Sequence, residues 1–190
     1  DRAPYLAHEE TTDQWYVDRD MKFGTIGVAG QAGQRFEDPS MLTLGGNYEE
    51  LIPKGGYDPH AHVKDMDVDG IAGGVLYPTQ VLSVFSVPDS ELLYDIFRAY
   101  NDWLADFCNA YPDRLRGVPV INLDDVPKGV AELERCARMG LVGAIIPTAP
   151  LEHRYDHPMY EPLWAAAQDL KAPLSLHVGN IRAKEKLTAA

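Results

Sequence analysis

Four times between residues 58 and 178 the chain passes through a helical pattern into a short apolar run closed by a polar or turn-forming residue. That alternation restricts the fold more than any other feature. Asp58-Pro59 reads as an N-cap followed by a proline in the first helical turn, and the helix it opens, with Val63 and Met66 facing inward, closes at Gly70. Ile71 to Tyr77 then form a strand ending at Pro78-Thr79. After Asp89, residues Leu93, Ile96, Phe97, Tyr100, Trp103, Leu104, Phe107 and Tyr111 recur at helical spacing, and the helix stops before Pro112. Val118 to Ile121 make a second strand ending at Asn122, and a helix from Asp125-Val126-Pro127 carries Val130, Leu133 and Ala137 to Gly140. Val142 to Ile146 form the third strand, closing on Pro147-Thr148.

The fourth unit carries the residue of greatest interest. A helix opening at Asp156 and Pro158, and again at Pro162, presents Met159, Leu163, Ala167 and Leu170 on one face until Pro173 stops it. Leu174 to Val178 are too few for a helix and read as a buried parallel strand, ended by Gly179. Such strands turn their carboxyl ends toward the functional face of an α/β sheet, and His177 stands at that end. It reads either as a ligand or as a core histidine bonded to a neighbouring carbonyl.

Strands alternating with helices at this rhythm imply right-handed βαβ units in a parallel sheet. An open doubly wound sheet would show a glycine-rich turn after its first strand, and no G-x-G-x-x-G or P-loop follows any strand here. A (β/α) barrel is therefore favoured, although a closed one needs eight strands and only four are counted. Residues 1–57 read as an irregular segment, with Trp15-Tyr16-Val17 and Met21-Lys22-Phe23 as a possible hairpin around Asp18-Arg19-Asp20 and a glycine-rich run from Gly24 to Gly33. A lid over the partial barrel of residues 58–190 is the expected role of that segment.

Seventeen basic against twenty-nine acidic side chains give a formal charge of -12, which argues against nucleic acid and anionic membranes as partners. No apolar run approaches a membrane span and the first residues lack the order of a secretion signal, so cytoplasm is the expected location. Cys108 and Cys136 each fall on a helical pattern among apolar neighbours, as buried free thiols rather than a disulfide or metal pair.

Several tempting sites weaken on inspection. His60-Ala-His62 resembles a chelating pair, but Asp58-Pro59 place it at a helix N-terminus, where residues two apart point to different faces. His153 and His157 have a chelating i, i+4 spacing on a helix, yet Pro158 pushes His157 out of helical geometry. Asp65-Met66-Asp67-Val68-Asp69 lacks the glycine and terminal glutamate of a calcium loop and reads as a solvated helix end. Tyr77, Thr79, Asn122 and Thr148 share with His177 a position near strand carboxyl ends, either lining a pocket or simply forming turns.

Taken in order, Gly55-Gly56-Tyr57-Asp58-Pro59, Asp65-Met66-Asp67, Val75-Leu76-Tyr77-Pro78-Thr79, Ala99-Tyr100-Asn101-Asp102-Trp103, Tyr111-Pro112-Asp113-Arg114-Leu115 and the stretch around Asp156, Pro158, Pro162, Pro173 and His177 resemble the amidohydrolase-2 family, in the branch related to aminocarboxymuconate semialdehyde decarboxylase. The resemblance implies a distorted (β/α)8 barrel holding a divalent metal, usually zinc, and a hydrolase or decarboxylase acting on small organic or aromatic acids. By resemblance His177 matches the metal-site histidine at the end of the fifth barrel strand. His60 and His62 do not match the family's first-strand H-x-H, which would lie upstream of residue 1, and the later histidine and aspartate would lie beyond residue 190. The expected fold is thus an incomplete TIM-like (β/α)8 barrel, strands two to five.

Two functions follow as expectations. The first is a metal-dependent hydrolase or carboxy-lyase with a small-molecule substrate, forming a homo-oligomer, with no catalytic side chain assigned. The second is a non-catalytic fragment or half-barrel that needs another segment or chain, because one histidine cannot hold a catalytic metal tightly. The chain is then expected either to self-associate across its open sheet edges or to belong to a longer polypeptide, and on its own to show no turnover and weak zinc binding.

Overall fold

The computed structural model describes residues 2–24, 26, 27, 29–31 and 45–182. The chain clusters into two compact units, Asp1–Gly73 and Gly74–Ala190.

The amino-terminal unit is more regular than its sequence suggests. Strands β1 (Tyr5–Glu9), β2 (Thr12–Val17) and β3 (Met21–Lys22) form an antiparallel sheet in the order β1-β2-β3. The expected hairpin is the β2–β3 pair, whose turn residues Asp18 and Arg19 adopt positive φ. The pairing of β1 with β2 was not read from the sequence, because Tyr5–Glu9 shows no clean apolar alternation. The glycine-rich run from Gly24 lies partly outside the described residues. A one-turn helix α1 (Tyr48–Leu51) precedes α2 (Pro59–Val68), which Asp58 caps through the amides of His60 and Ala61 and which buries Val63 and Met66. By compactness the chain divides after α2, between Gly73 and Gly74, whereas the start of the helical pattern at Asp58 places the sequence boundary at 57/58.

The second unit realises the alternation. Strand β4 (Gly74–Leu76) leads to a 3-10 segment, Gln80–Ser86, and then to α3 (Ser90–Asn109); β5 (Leu115–Gly117) leads to α4 (Val126–Arg138); β6 (Ala144–Ile146) to α5 (Glu161–Asp169); and β7 (Leu174–Leu176) follows. The pairs β4/β5 and β6/β7 are parallel and are joined by a parallel bridge between Val120 and Ile145. The second strand is therefore shifted from its expected place: ladder pairing with β4 uses residues 115–117, and Val118 to Ile121 continue as the seam toward β6, with Ile145 N–H donating to Pro119 and Ile121 N–H to Ile145. Tyr77, at the end of β4, lies with its hydroxyl 3.2 Å from Ser175 Oγ on β7. Three flat strand spacings, about 14 Å, exceed what these two side chains can bridge. The four strands therefore curl, with Tyr77 and Ser175 on the concave face.

Three helices end with the same device. Gly70, Gly140 and Lys171 adopt left-handed backbone, and the following amides of Ile71, Leu141 and Ala172 reach back to Met66, Cys136 and Ala167. Only the third lacks the glycine that makes such a stop readable. The α3 pattern buries Leu93, Ile96, Phe97, Leu104 and Phe107, but Trp103 remains 42% exposed. In the last helix His157, not Asp156, caps the 3-10 turn Pro158–Tyr160, and Leu170, expected on the apolar face, is exposed.

Candidate functional site

His177 follows directly on β7, at the carboxyl end of a strand parallel to β6. The position agrees with expectation and the burial does not. Leu176 is 59% and Val178 87% exposed, because β7 pairs on one side only, with β6, among the described residues. Among the described residues, the apolar run that reads as a buried strand forms an edge. His177 stands two residues after Ser175, which meets Tyr77 on the concave face, and just past the last paired residue of β7.

The imidazole is held locally, its Nδ1 lying 2.8 Å from the carbonyl oxygen of Val178. A carbonyl can only accept, so Nδ1 carries a proton, and in the neutral imidazole Nε2 keeps its lone pair. Ligating histidines are commonly oriented by such a bond from their other nitrogen. The loop that follows contains a second unusual group: Asn180 is 1% exposed and its side-chain Nδ2 has no acceptor among the described residues. Buried amides are nearly always paired, so the loop is built for an acceptor that those residues do not supply. The lone pair of a neutral His177 suits one side of a metal centre, whereas the Asn180 Nδ2, a donor, suits only an acceptor atom of a ligand. Among the described residues, however, no three His, Cys, Asp or Glu side chains come together to hold an ion. His177 fits as one donor, and the described chain does not provide a complete set.

The other strand-end residues serve the scaffold. Asn122 is buried, donating to the Ser90 carbonyl and accepting from the Asp124 amide, while Thr148 donates its hydroxyl to the Asn180 carbonyl at 2.9 Å. A feature absent from the sequence reading is the buried pair of Asp124 and Arg182, both 4% exposed in their side chains and 58 residues apart. No pattern in the sequence marks two such residues as partners. A cleft of about 280 Å³ opens beside Asp124, between the first turns of α3 and α4, lined by Ser90, Glu91, Tyr94, Asn122 and Lys128 among others. His177 does not line it, and its cation is occupied, since Lys128 pairs with Glu91 at 2.6 Å.

The histidines set aside earlier fall as their local sequence implies. His60 and His62 stand in the first turn of α2, with His62 Nδ1 against the Gly55 carbonyl at 2.9 Å. His157 has extended backbone before Pro158, and its ring stacks on that of His153 with centroids 4.1 Å apart. Asp65, Asp67 and Asp69 are exposed at the end of α2. Cys108 and Cys136 are buried and free; burial raises both thiols, Cys108 to about 11, which removes them as nucleophiles. No described helix is long and apolar enough to cross a membrane.

The sequence model of the amidohydrolase family matches residues 57–190. The chain belongs to that family. Among curated relatives, the gamma-resorcylate decarboxylase of Rhodococcus jostii (strain RHA1) is 36% identical over 110 residues, which make up 52% of this chain and 33% of the relative. The chain therefore spans about a third of that enzyme's length. The crystal structure of 2,6-dihydroxybenzoate decarboxylase from Rhizobium superposes with a TM-score of 0.57 at 29% identity, over 68% of this chain and 42% of that one. A dihydroxybenzoic acid decarboxylase from Polaromonas sp. JS666, with bound manganese and the inhibitor 2-nitroresorcinol, matches at 28% identity and a TM-score of 0.57, over 74% of this chain and 42% of its own. An amidohydrolase from Mycobacterium avium subsp. paratuberculosis K-10 covers 93% of this chain and 51% of its own at a TM-score of 0.71, and with 16% identity it speaks for the α/β fold alone.

Proposed function

We propose that the protein containing this chain is a metal-dependent decarboxylase of a small hydroxylated aromatic acid, and that residues 74–182 form four β/α units of a (β/α)8 barrel. The observation that carries the reading is the coincidence of family membership, aromatic-acid decarboxylases among the relatives, and a histidine oriented at a strand carboxyl end with Nε2 free. His177 is one ligand of a divalent ion in this reading. When bound, such an ion holds and polarises a substrate oxygen. The chain's own part is to fix the tautomer of His177 through the Val178 carbonyl and to offer the concave face around Tyr77 and Ser175 to the aromatic ring. Overall, the carboxylate leaves as carbon dioxide and a proton takes its place on the ring carbon.

Sequence had suggested zinc and left hydrolysis open. Manganese in related decarboxylases favours the harder ion and the carboxy-lyase. The decisive experiment loads the metal-free full-length protein separately with Mn²⁺ and Zn²⁺ and follows 2,6-dihydroxybenzoate and its release of carbon dioxide. Turnover with metal, abolished by His177→Ala, is the expected result. Hydrolysis of amide or lactone substrates without any carbon dioxide release would overturn the decarboxylase reading.

A second reading has one observation in its favour. Because the described residues gather no complete ligand set, residues 1–190 expressed alone should bind metal weakly and turn over no substrate. Tight binding of one ion by that isolated chain would refute it.

A further inference from the structure

The pairing of β6 with β7 breaks off and then resumes out of step. Ala144, Ile145 and Ile146 stand opposite Leu174, Ser175 and Leu176, and the next bridge joins Ala149 to Ile181. Between these points one strand has two residues, Pro147 and Thr148, and the other has four, His177 to Asn180. The excess is a bulge, which bends its strand and re-aims the side chains at its mouth. His177 is its first residue.

The bulge is closed at every step. Gly179 takes a left-handed backbone with φ of 93°, and the Asn180 amide donates to the His177 carbonyl at 3.2 Å. Thr148 donates both its amide, at 2.7 Å, and its hydroxyl, at 2.9 Å, to the Asn180 carbonyl, and the Arg182 amide donates to Ala149 at 2.7 Å. The Arg182 side chain then turns inward. Its Nε lies 3.1 Å from both carboxylate oxygens of Asp124, Nη2 donates to Oδ2, and Nη1 donates to the carbonyls of Phe85, at 2.8 Å, and Val87. Ser90 Oγ donates to the same Asp124 carboxylate at 2.6 Å. One guanidinium thus ties the far end of the bulge to the segment after β4 and the loop before α4, and the Asp124 it grips is held in turn by the start of α3.

Desolvation offsets much of the attraction in a buried ion pair, so this arrangement is a weak source of net stability. A planar fork meeting a carboxylate and two carbonyls is instead strongly directional. We infer that Gly179 and Arg182 are positioning residues for His177: the bulge aims the imidazole, and the Arg182–Asp124 clamp keeps the far end of the bulge from slipping back into register. The inference rests on the reading of His177 as a metal ligand. It assigns the clamp to the site although neither Arg182 nor Asp124 touches the imidazole.

The test uses the full-length protein, labelled with ¹⁵N-histidine and stripped of metal, as wild type, Arg182→Lys, Gly179→Ala, His177→Ala and the core control Leu163→Ala. Two quantities are read: the His177 ring tautomer by NMR, assigned from its loss in His177→Ala, and Mn²⁺ affinity by calorimetric titration. Arg182→Lys and Gly179→Ala are expected to mix the two tautomers and to weaken Mn²⁺ binding by about tenfold or more, as loss of an outer-shell support does. Leu163→Ala should lower the melting temperature and move neither. If Arg182→Lys does not fold, Gly179→Ala decides alone, since its added methyl meets no heavy atom within 4 Å and acts only through the strained backbone. A single tautomer and unchanged affinity in the folded variants overturn the inference. His177→Ala separates the two failures: if it leaves Mn²⁺ affinity intact, the ligand reading falls and takes the inference with it, whereas if it abolishes affinity that the positioning variants retain, the inference alone falls.

Discussion

Two buried carboxylates in the parallel unit are balanced in opposite ways. Glu132 lies on the inner face of α4 and is met by Arg135 one turn along the same helix, at 2.7 Å, and by Asn101 of α3 at 2.9 Å. Asp124 lies in a loop and is met by Arg182, which arrives only after two further strands. The first network is completed by two neighbouring helices and the adjoining Val120 backbone, which Asn101 also grips. The second assembles only when β7 is in place. Charge buried between adjacent helices therefore knits the outer layer, whereas charge buried at the strand ends reports on the whole sheet.

The sharpest way to break this contrast is to remove each carboxylate in turn. Asp124→Ala leaves Arg182 buried without a counter-ion, and loss of one partner from such a pair costs about 3–5 kcal/mol. Glu132→Ala should cost less, about 1–3 kcal/mol, because Arg135 is 18% exposed and keeps Asp102, and Asn101 keeps the Val120 carbonyl. Urea midpoints for the two variants measure the gap. Equal losses would erase the distinction.

Acid titration addresses the helix network by itself. Burial pushes the Glu132 carboxyl up, but the hydrogen bonds from Arg135 and Asn101 outweigh it and hold the group below the usual carboxylate range. A group depressed in the folded state contributes stability above its unfolded pKa, about 4.3 for glutamate, and loses that contribution as pH falls through the folded value. The stability difference between wild type and Glu132→Gln should thus be constant near neutrality and shrink below about pH 4. A gap that widens on acidification would contradict the hydrogen-bond assignment.

A smaller effect probes the link between the two regions. Asp89 caps α3 through the amides of Glu91 and Leu92, next to the Ser90 that touches Asp124. Asp89→Ala should cost about 1 kcal/mol. Combined with Asp124→Ala the losses should depart from additivity, and combined with Glu132→Ala they should add. The smallest change is expected at the open edge, where Val178→Ser, at a residue 87% exposed, should shift stability by no more than about 0.5 kcal/mol in this chain. A larger loss would mean that another surface covers β7.

Much of the layered pattern was legible because its signals are local. Asp58, Asp89 and Asp125 cap the helices they were expected to cap, Gly70 and Gly140 end theirs, and Val63, Met66, Leu93 and Leu133 are buried as their spacing implies. Errors fell where local pattern and environment part. Leu174 to Val178 is apolar enough for a central strand but pairs on one side among the described residues, Trp103 sits in a helical apolar row yet faces solvent, and Lys171 ends a helix without the glycine that would announce it. The antiparallel partner β1 escaped because its residues do not alternate in polarity.

Residue pattern alone was enough for the α/β class, the position of His177 at a strand end, the helical setting of His60 and His62, and the burial of Cys108 and Cys136 as free thiols. Each follows from residues within a turn or two of one another, where capping, proline and periodicity act directly. The three-dimensional packing had to be seen to learn that β7 pairs on one side among the described residues, that the strands curl until Tyr77 meets Ser175, that the β6–β7 ladder slips at His177, and that Asp124 receives Arg182. Those facts depend on which strands lie side by side and in what register, and such choices are made by packing between segments far apart in the chain, for which no short pattern stands proxy.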